Sequence, residues 1–172
     1  MESFQIVPTT IADLESVYSL FEAAISYQQK KQYPVWAGID REVIQADIAA
    51  TQQYKIVSAD SLLCIFSLLW SDPYIWREKD NNDAIYLHRI VVSPTHKGQR
   101  HFGKILDWTI HLAREHRKKF IRMDTWASNP TIIAYYQSFG FNVLETFLTG
   151  NGKEFSLQQR NVNLALLEYV LP

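Results

Sequence analysis

The chain has 172 residues, a formal net charge of −1, 47% hydrophobic residues and 20% charged ones. That length suits one domain, residues 1–172, with a sizeable core, and the composition excludes a disordered chain. The balanced charge argues against a general nucleic-acid binder. The single Cys64 rules out an internal disulfide or a metal site built on cysteine pairs, and reads as a small buried hydrophobe.

The first residues carry no basic patch followed by an apolar run, and no apolar segment approaches the roughly 18 residues of a membrane span. A cytoplasmic location with no membrane partner is expected. Residues 4–7 read as a short strand ended by Pro8. Thr9 or Thr10 can cap a helix over residues 11–29, whose apolar stripe is Leu14, Val17, Tyr18, Phe21 and Ile25. An aromatic connection, Tyr33 to Gly38, leads to Asp40 as cap of a second helix over residues 41–52. Residues 54–58 and 62–70 are strands of a hairpin turning at Ala59, Asp60 and Ser61. Residues 71–83 read as a polar connection containing proline.

The most informative stretch begins at residue 84. Ile85, Tyr86, Leu87, Ile90, Val91 and Val92 mark a strand, which Pro94 should stop at about Ser93. Phe102, Ile105, Leu106, Thr109, Leu112 and Ala113 recur at helical spacing. The loop between them opens a helix whose first N–H groups face an anion, and a phosphate is the commonest guest of such an end. From His96 to Arg122 there are eight Lys or Arg and two acids. Arg114, Arg117, Lys118 and Lys119 fit a solvated helix C-terminus, so Lys97, Arg100 and Lys104 remain as the anion-facing charges. These bases lie on a loop and a helix, not interleaved with aromatics on a sheet face, which again argues against nucleic acid.

Residues 120–125 are a strand. Asn129 and Pro130 cap and open a helix over 130–139 that Gly140 ends. Residues 141–148 and 163–170 are the last strands. Hairpins and crossover helices are mixed in this order, so an α/β (α+β) chain with a mixed, mostly antiparallel central sheet flanked by helices is expected.

Two segments carry a family resemblance. Gly98-Gln99-Arg100-His101-Phe102-Gly103 is similar to the cofactor loop of the GCN5-related N-acetyltransferases, Gln/Arg-x-x-Gly-x-Gly/Ala after a strand. Only Gly103 matches; Gly98 stands where Gln or Arg is usual, and His101 stands where the first Gly is usual. Asn129, Tyr136 and Gly140-Phe141 match the spacing of the family's second signature. The resemblance implies that family's acyl-CoA fold, acetyl-CoA as co-substrate, no metal, and a primary amine of a small molecule or peptide as acceptor. It implies that Asn129 contacts the pantetheine arm and that the Tyr136 hydroxyl protonates the departing sulfur. It implies that backbone N–H groups of Ile90, Val91 and Val92 polarise the thioester. The pyrophosphate would then rest on N–H groups in the stretch Lys97, Gly98, Gln99, Arg100, His101, Phe102, Gly103 and Lys104.

The residues also admit plainer readings. Asn129 serves as a helix cap in any fold, and Tyr135 and Tyr136 share a face with Ile132 and Phe139 that a core would bury. His88, on the central strand, titrates in the range of a general base, but its first reading is a satisfied histidine on the sheet face. Tyr33, Trp36, Trp70, Tyr74 and Trp76 are candidates for the acceptor pocket or ordinary core aromatics. With His101 in a glycine position, a non-catalytic acyl-CoA sensor or interaction module is the alternative to an enzyme. The acceptor and the oligomeric state, including a homodimer, stay open.

Overall fold

The computed structural model describes residues 4–59 and 61–172. The chain gathers into two compact units that interleave in sequence, residues 1–68 with 88–101, and 69–87 with 102–172. Among the described residues, seven strands lie in the order β1-β2-β3-β4-β5-β7-β6, with five α-helices.

In the first unit β1 (Gln5–Pro8), β2 (Gln53–Ser58) and β3 (Ser61–Leu69) pair antiparallel in succession. Helices α1 (Leu14–Lys30) and α2 (Arg41–Ala49) supply the apolar stripes that cover them, and Val17, Phe21, Ile44, Ile65 and Val91 form a dry core. Pro8 does not end β1 from outside. It is the strand's last residue, opposite Tyr54, which an edge strand tolerates. The first helix opens with a 3-10 turn, Ile11–Asp13, where Asp13 accepts hydrogen bonds from the Thr10 N–H at 2.8 Å and its hydroxyl at 2.9 Å. Asp40 caps α2 through the Val43 N–H at 3.4 Å, and that helix stops at Ala49, short of the expected residue 52. Ser58 pairs with Ser61 across the hairpin, whose Asp60 lies outside the described residues.

In the second unit the start of β4 (Ala84–Val92) pairs parallel with β5 (Phe120–Trp126) over Ala84 to Leu87. β7 (Asn163–Val170) runs antiparallel to β5, and β6 (Asn142–Leu148) antiparallel to β7, with a register shift between Val143 and Glu145. The helices are α3 (Pro73–Trp76), α4 (His101–Glu115) and α5 (Pro130–Gln137). Short α3 replaces part of the expected polar connection; four residues give no period to read, yet Ile75 and Trp76 are fully buried. The Arg122 guanidinium lies 4.9 Å from the Trp76 ring and 2.8 Å from Glu168, so this base is a core ion-pair member and not part of a basic face. Desolvation presses Tyr86 upward in pKa, as does its hydrogen bond to Asp80 at 2.7 Å. No helix of the described residues is long and apolar enough to cross a membrane.

Candidate active site

The stretch from Ser93 to Lys104 is built as the pattern of strand, loop and helix requires. Pro94 ends β4 and starts a single 3-10 turn, Pro94–His96. Gly98 then takes φ +81° and Arg100 φ +52°. At Gly98 a side chain would have space, but the backbone is one that L residues rarely adopt, so the glycine serves conformation. The chain thereby turns into α4 with peptide N–H groups leading along the helix start, the end that favours an anion.

His101 does not fill the space a phosphate would need from within this loop. Its ring is 2% exposed, and Nε2 donates to the His96 carbonyl oxygen at 3.0 Å. The imidazole is folded into the first unit, so a histidine in place of the usual glycine leaves the loop formed. Lys97 is exposed, with its ammonium 3.0 Å from the centroid of the Tyr27 ring on α1. Desolvation and nearby Lys31 hold its pKa below the ordinary lysine value. Gln99 and Arg100 are exposed and Lys104 is half-buried.

In the second unit the start of α4 meets α5 through aromatic rings. Phe102 is 3% exposed and lies 4.8 Å from Tyr136, 5.0 Å from Phe139 and 5.8 Å from Phe141, measured between centroids. The first two are edge-to-face, and such pairs contribute about 0.5–1.5 kcal/mol each beyond area burial. Gly103 was expected at the phosphates. A Cβ there would sit 3.4 Å from the Phe139 ring, so this face of α4 lies against α5. Tyr136 is buried while Tyr135 is 36% exposed, so only one of the two tyrosines expected on a buried face is covered. Asn129 is the cap of α5, accepting from the Ile132 N–H at 3.2 Å. Its oxygen is committed to the helix, and its amide N–H₂ is the part that suits a ligand.

Of the acceptor-side candidates, Tyr33 and Trp36 belong to the first unit and both are half-buried. Tyr33 packs edge-on to Tyr27 at 6.3 Å; Trp36 packs on Phe21 at 5.6 Å, and its backbone N–H donates to Gln28 at 3.0 Å. His88, Ile90, Val91 and Val92 follow in β4, with His88 7% exposed. The Trp70 ring lies 4.6 Å from His116, just past the C-terminal end of α4, with Lys118 above it. A 15-residue helix is about 22 Å long, so Trp70 stands a helix length from the α4 start. Trp76 is fully buried core, and Tyr74 is exposed beside Phe155.

Pattern reading missed a buried cluster in the first unit. Arg89, next to His88 in β4, has φ +49° and pairs with Asp47 of α2. Asp47 in turn accepts from Ser67 of β3 at 2.7 Å. Nothing in a run of strand-forming residues announces a left-handed residue within it.

Comparison with known proteins agrees with this architecture. Residues 65–141 match the model of the acetyltransferase (GNAT) family. An uncharacterized N-acetyltransferase, YesJ of Bacillus subtilis, is 24% identical over 161 residues, which is 87% of each chain. A GNAT-family acetyltransferase structure from Listeria monocytogenes is similar at a TM-score of 0.76, with 19% identity and coverage of 98% of this chain and 95% of that one. Spermidine N-acetyltransferase from Vibrio cholerae, in complex with CoA and spermine, is similar at a TM-score of 0.65, with 13% identity and coverage of 98% and 95%.

Proposed function

We propose that this chain, which belongs to the acetyltransferase (GNAT) family through residues 65–141, is an acetyl-CoA-dependent N-acetyltransferase acting on a primary amine of a small molecule or peptide. The observation that carries the reading is the opening of α4. Gly98 and Arg100 in left-handed backbone, a helix N-terminus, and the bases Arg100 and Lys104 make one stretch suited to a pyrophosphate. N–H groups from Gln99 to Lys104 hold the phosphates without needing a side chain at position 101.

Asn129 contributes its amide N–H₂ to the pantetheine arm while its oxygen caps α5. Backbone N–H groups of Ile90, Val91 and Val92 polarise the thioester carbonyl as negative charge develops on its oxygen. The amine nitrogen attacks the carbonyl carbon, the C–S bond breaks, and the departing thiolate takes the proton of the Tyr136 phenol. The nitrogen gives up its own extra proton to water, directly or through His88. Tyr33 and Trp36 line the acceptor side, which favours an acceptor with apolar length behind its amine.

The test is a panel of amines (spermine, spermidine, aromatic monoamines and short peptides with free N-termini) scored by release of coenzyme A thiol. Turnover above the rate of acetyl-CoA hydrolysis with at least one of them is expected, together with a rise in melting temperature on adding acetyl-CoA. A melting temperature unmoved by millimolar acetyl-CoA would end the reading. Stabilisation without turnover of any amine would favour an acyl-CoA sensor instead.

A further inference from the structure

Arg89 stands inside β4 with φ +49°. A long side chain keeps left-handed backbone only where its surroundings over-determine it. Here they do. The Arg89 side chain is 7% exposed and its guanidinium pairs with the Asp47 carboxylate, 8% exposed, from α2. The same carboxylate oxygen accepts from Ser67 Oγ at 2.7 Å, and Ser67 is wholly buried in β3. α2, β3 and β4 of the first unit therefore meet at one buried polar point.

The left-handed residue interrupts the extended backbone of the strand, and with it the period of two that an unbroken strand keeps. An extra turn of this kind is how a bulge bends a strand and re-aims the groups after it. In β4 those groups are the peptide N–H groups of Ile90, Val91 and Val92.

We propose that the Asp47–Arg89 pair is a positioning lock for β4. It holds residue 89 left-handed and so fixes the direction in which those N–H groups meet a thioester carbonyl. The catalytic half of this inference rests on the acetyl-transfer reading; the backbone half does not. Without the carboxylate, the guanidinium is an uncompensated buried charge that leaves for solvent, and residue 89 relaxes toward extended backbone.

The test uses Asp47→Asn, which keeps size and the hydrogen bond from Ser67, alongside Arg89→Lys, which keeps the charge facing Asp47. In Asp47→Asn the amide resonances of Ile90, Val91 and Val92 are expected to move, while those of β7 stay. In Asp47→Asn, turnover of acetyl-CoA with the fastest amine of the panel falls at least about tenfold while the affinity for coenzyme A stays within about threefold, and Arg89→Lys, with Asp47 intact, keeps most of the wild-type turnover. Unmoved β4 amides would overturn the lock. So would a loss of turnover matched by an equal loss of coenzyme A affinity, the mark of a merely loosened fold. Should Asp47→Asn fail to fold, Ser67→Ala removes one hydrogen bond from the same carboxylate and gives the same readouts, with a two- to fivefold effect on turnover. If acetyl-CoA does not stabilise the wild-type protein, the acetyl-transfer reading fails and the amide shifts alone decide the lock.

Discussion

Two helices of this molecule begin in opposite ways. α5 completes its own start: Pro130 has no N–H to satisfy, and Asn129 accepts from Ile132 at 3.2 Å. α4 begins after Arg100, whose guanidinium only donates, and all of His101, Phe102, Gly103 and Lys104 carry a peptide N–H. A start that supplies its own acceptor has a structural task. A start preceded by a basic residue, with a glycine at φ +81° two residues earlier, carries the charge and the dipole that attract an anion.

The sharpest way to break this contrast is to give α4 a cap of the α5 kind. Arg100→Asp places a carboxylate at the helix start, where aspartate also tolerates left-handed backbone. We expect coenzyme A affinity to fall at least about thirtyfold, from lost attraction and added repulsion toward phosphate, while the free protein is as stable or more so. Calorimetric titration with coenzyme A and thermal melts of the free protein read the two effects separately.

A smaller effect separates binding from chemistry. Tyr136→Phe keeps the ring that packs on Phe102, so turnover should fall about tenfold with coenzyme A affinity nearly unchanged. Tyr135→Phe, with its ring 36% exposed, is the control; equal losses in both variants would mean packing and not proton donation. Next comes Asn129, which joins both tasks. Asn129→Asp keeps the capping oxygen and removes the amide N–H₂, so stability should hold while coenzyme A affinity drops a few-fold. Asn129→Ala removes the cap as well and should cost about 1 kcal/mol of stability in denaturant melts.

The smallest effect concerns the turn before α1, which is also self-capped. Burial raises the Asp13 pKa, but hydrogen bonds from Lys55, at 2.7 Å, and from Thr10 outweigh it and hold the carboxyl below its ordinary value of 3.8. A carboxyl depressed on folding stabilises fully above the unfolded value and loses that stabilisation as pH falls through the folded one. Asp13→Asn should therefore flatten the fall of melting temperature below pH 3.8. The pair is only partly buried, so the difference should stay under about 1 kcal/mol.

Much of this was legible from local chemistry. Asn129 and Pro130 mark the start of α5 because each solves a problem specific to a helix end; the helix stops at Gln137, two residues short of the expected 139, and Gly140 at φ +94° closes the turn that follows. β7 occupies residues 163–170 as its apolar run predicts. α3 was not legible, because four residues make no period and its burial is a tertiary fact. Gly103 shows a similar limit: the sequence shows that a residue is small, but not that Phe139 lies against it. Arg89 was hidden more deeply, since the residue that holds it left-handed lies 42 positions away.

Both outer strands of the sheet also bear on how the protein behaves at high concentration. β1 finishes on Pro8, which offers no N–H to a neighbouring strand. β6 loses register between Val143 and Glu145, and Glu145 is engaged by Arg77 and Lys79. Each rim is thus a poor template for ribbon-like growth between molecules, even though Leu144 and Leu148 of β6 are exposed. Strand addition at either rim should accordingly be slow, even in concentrated protein or during slow refolding.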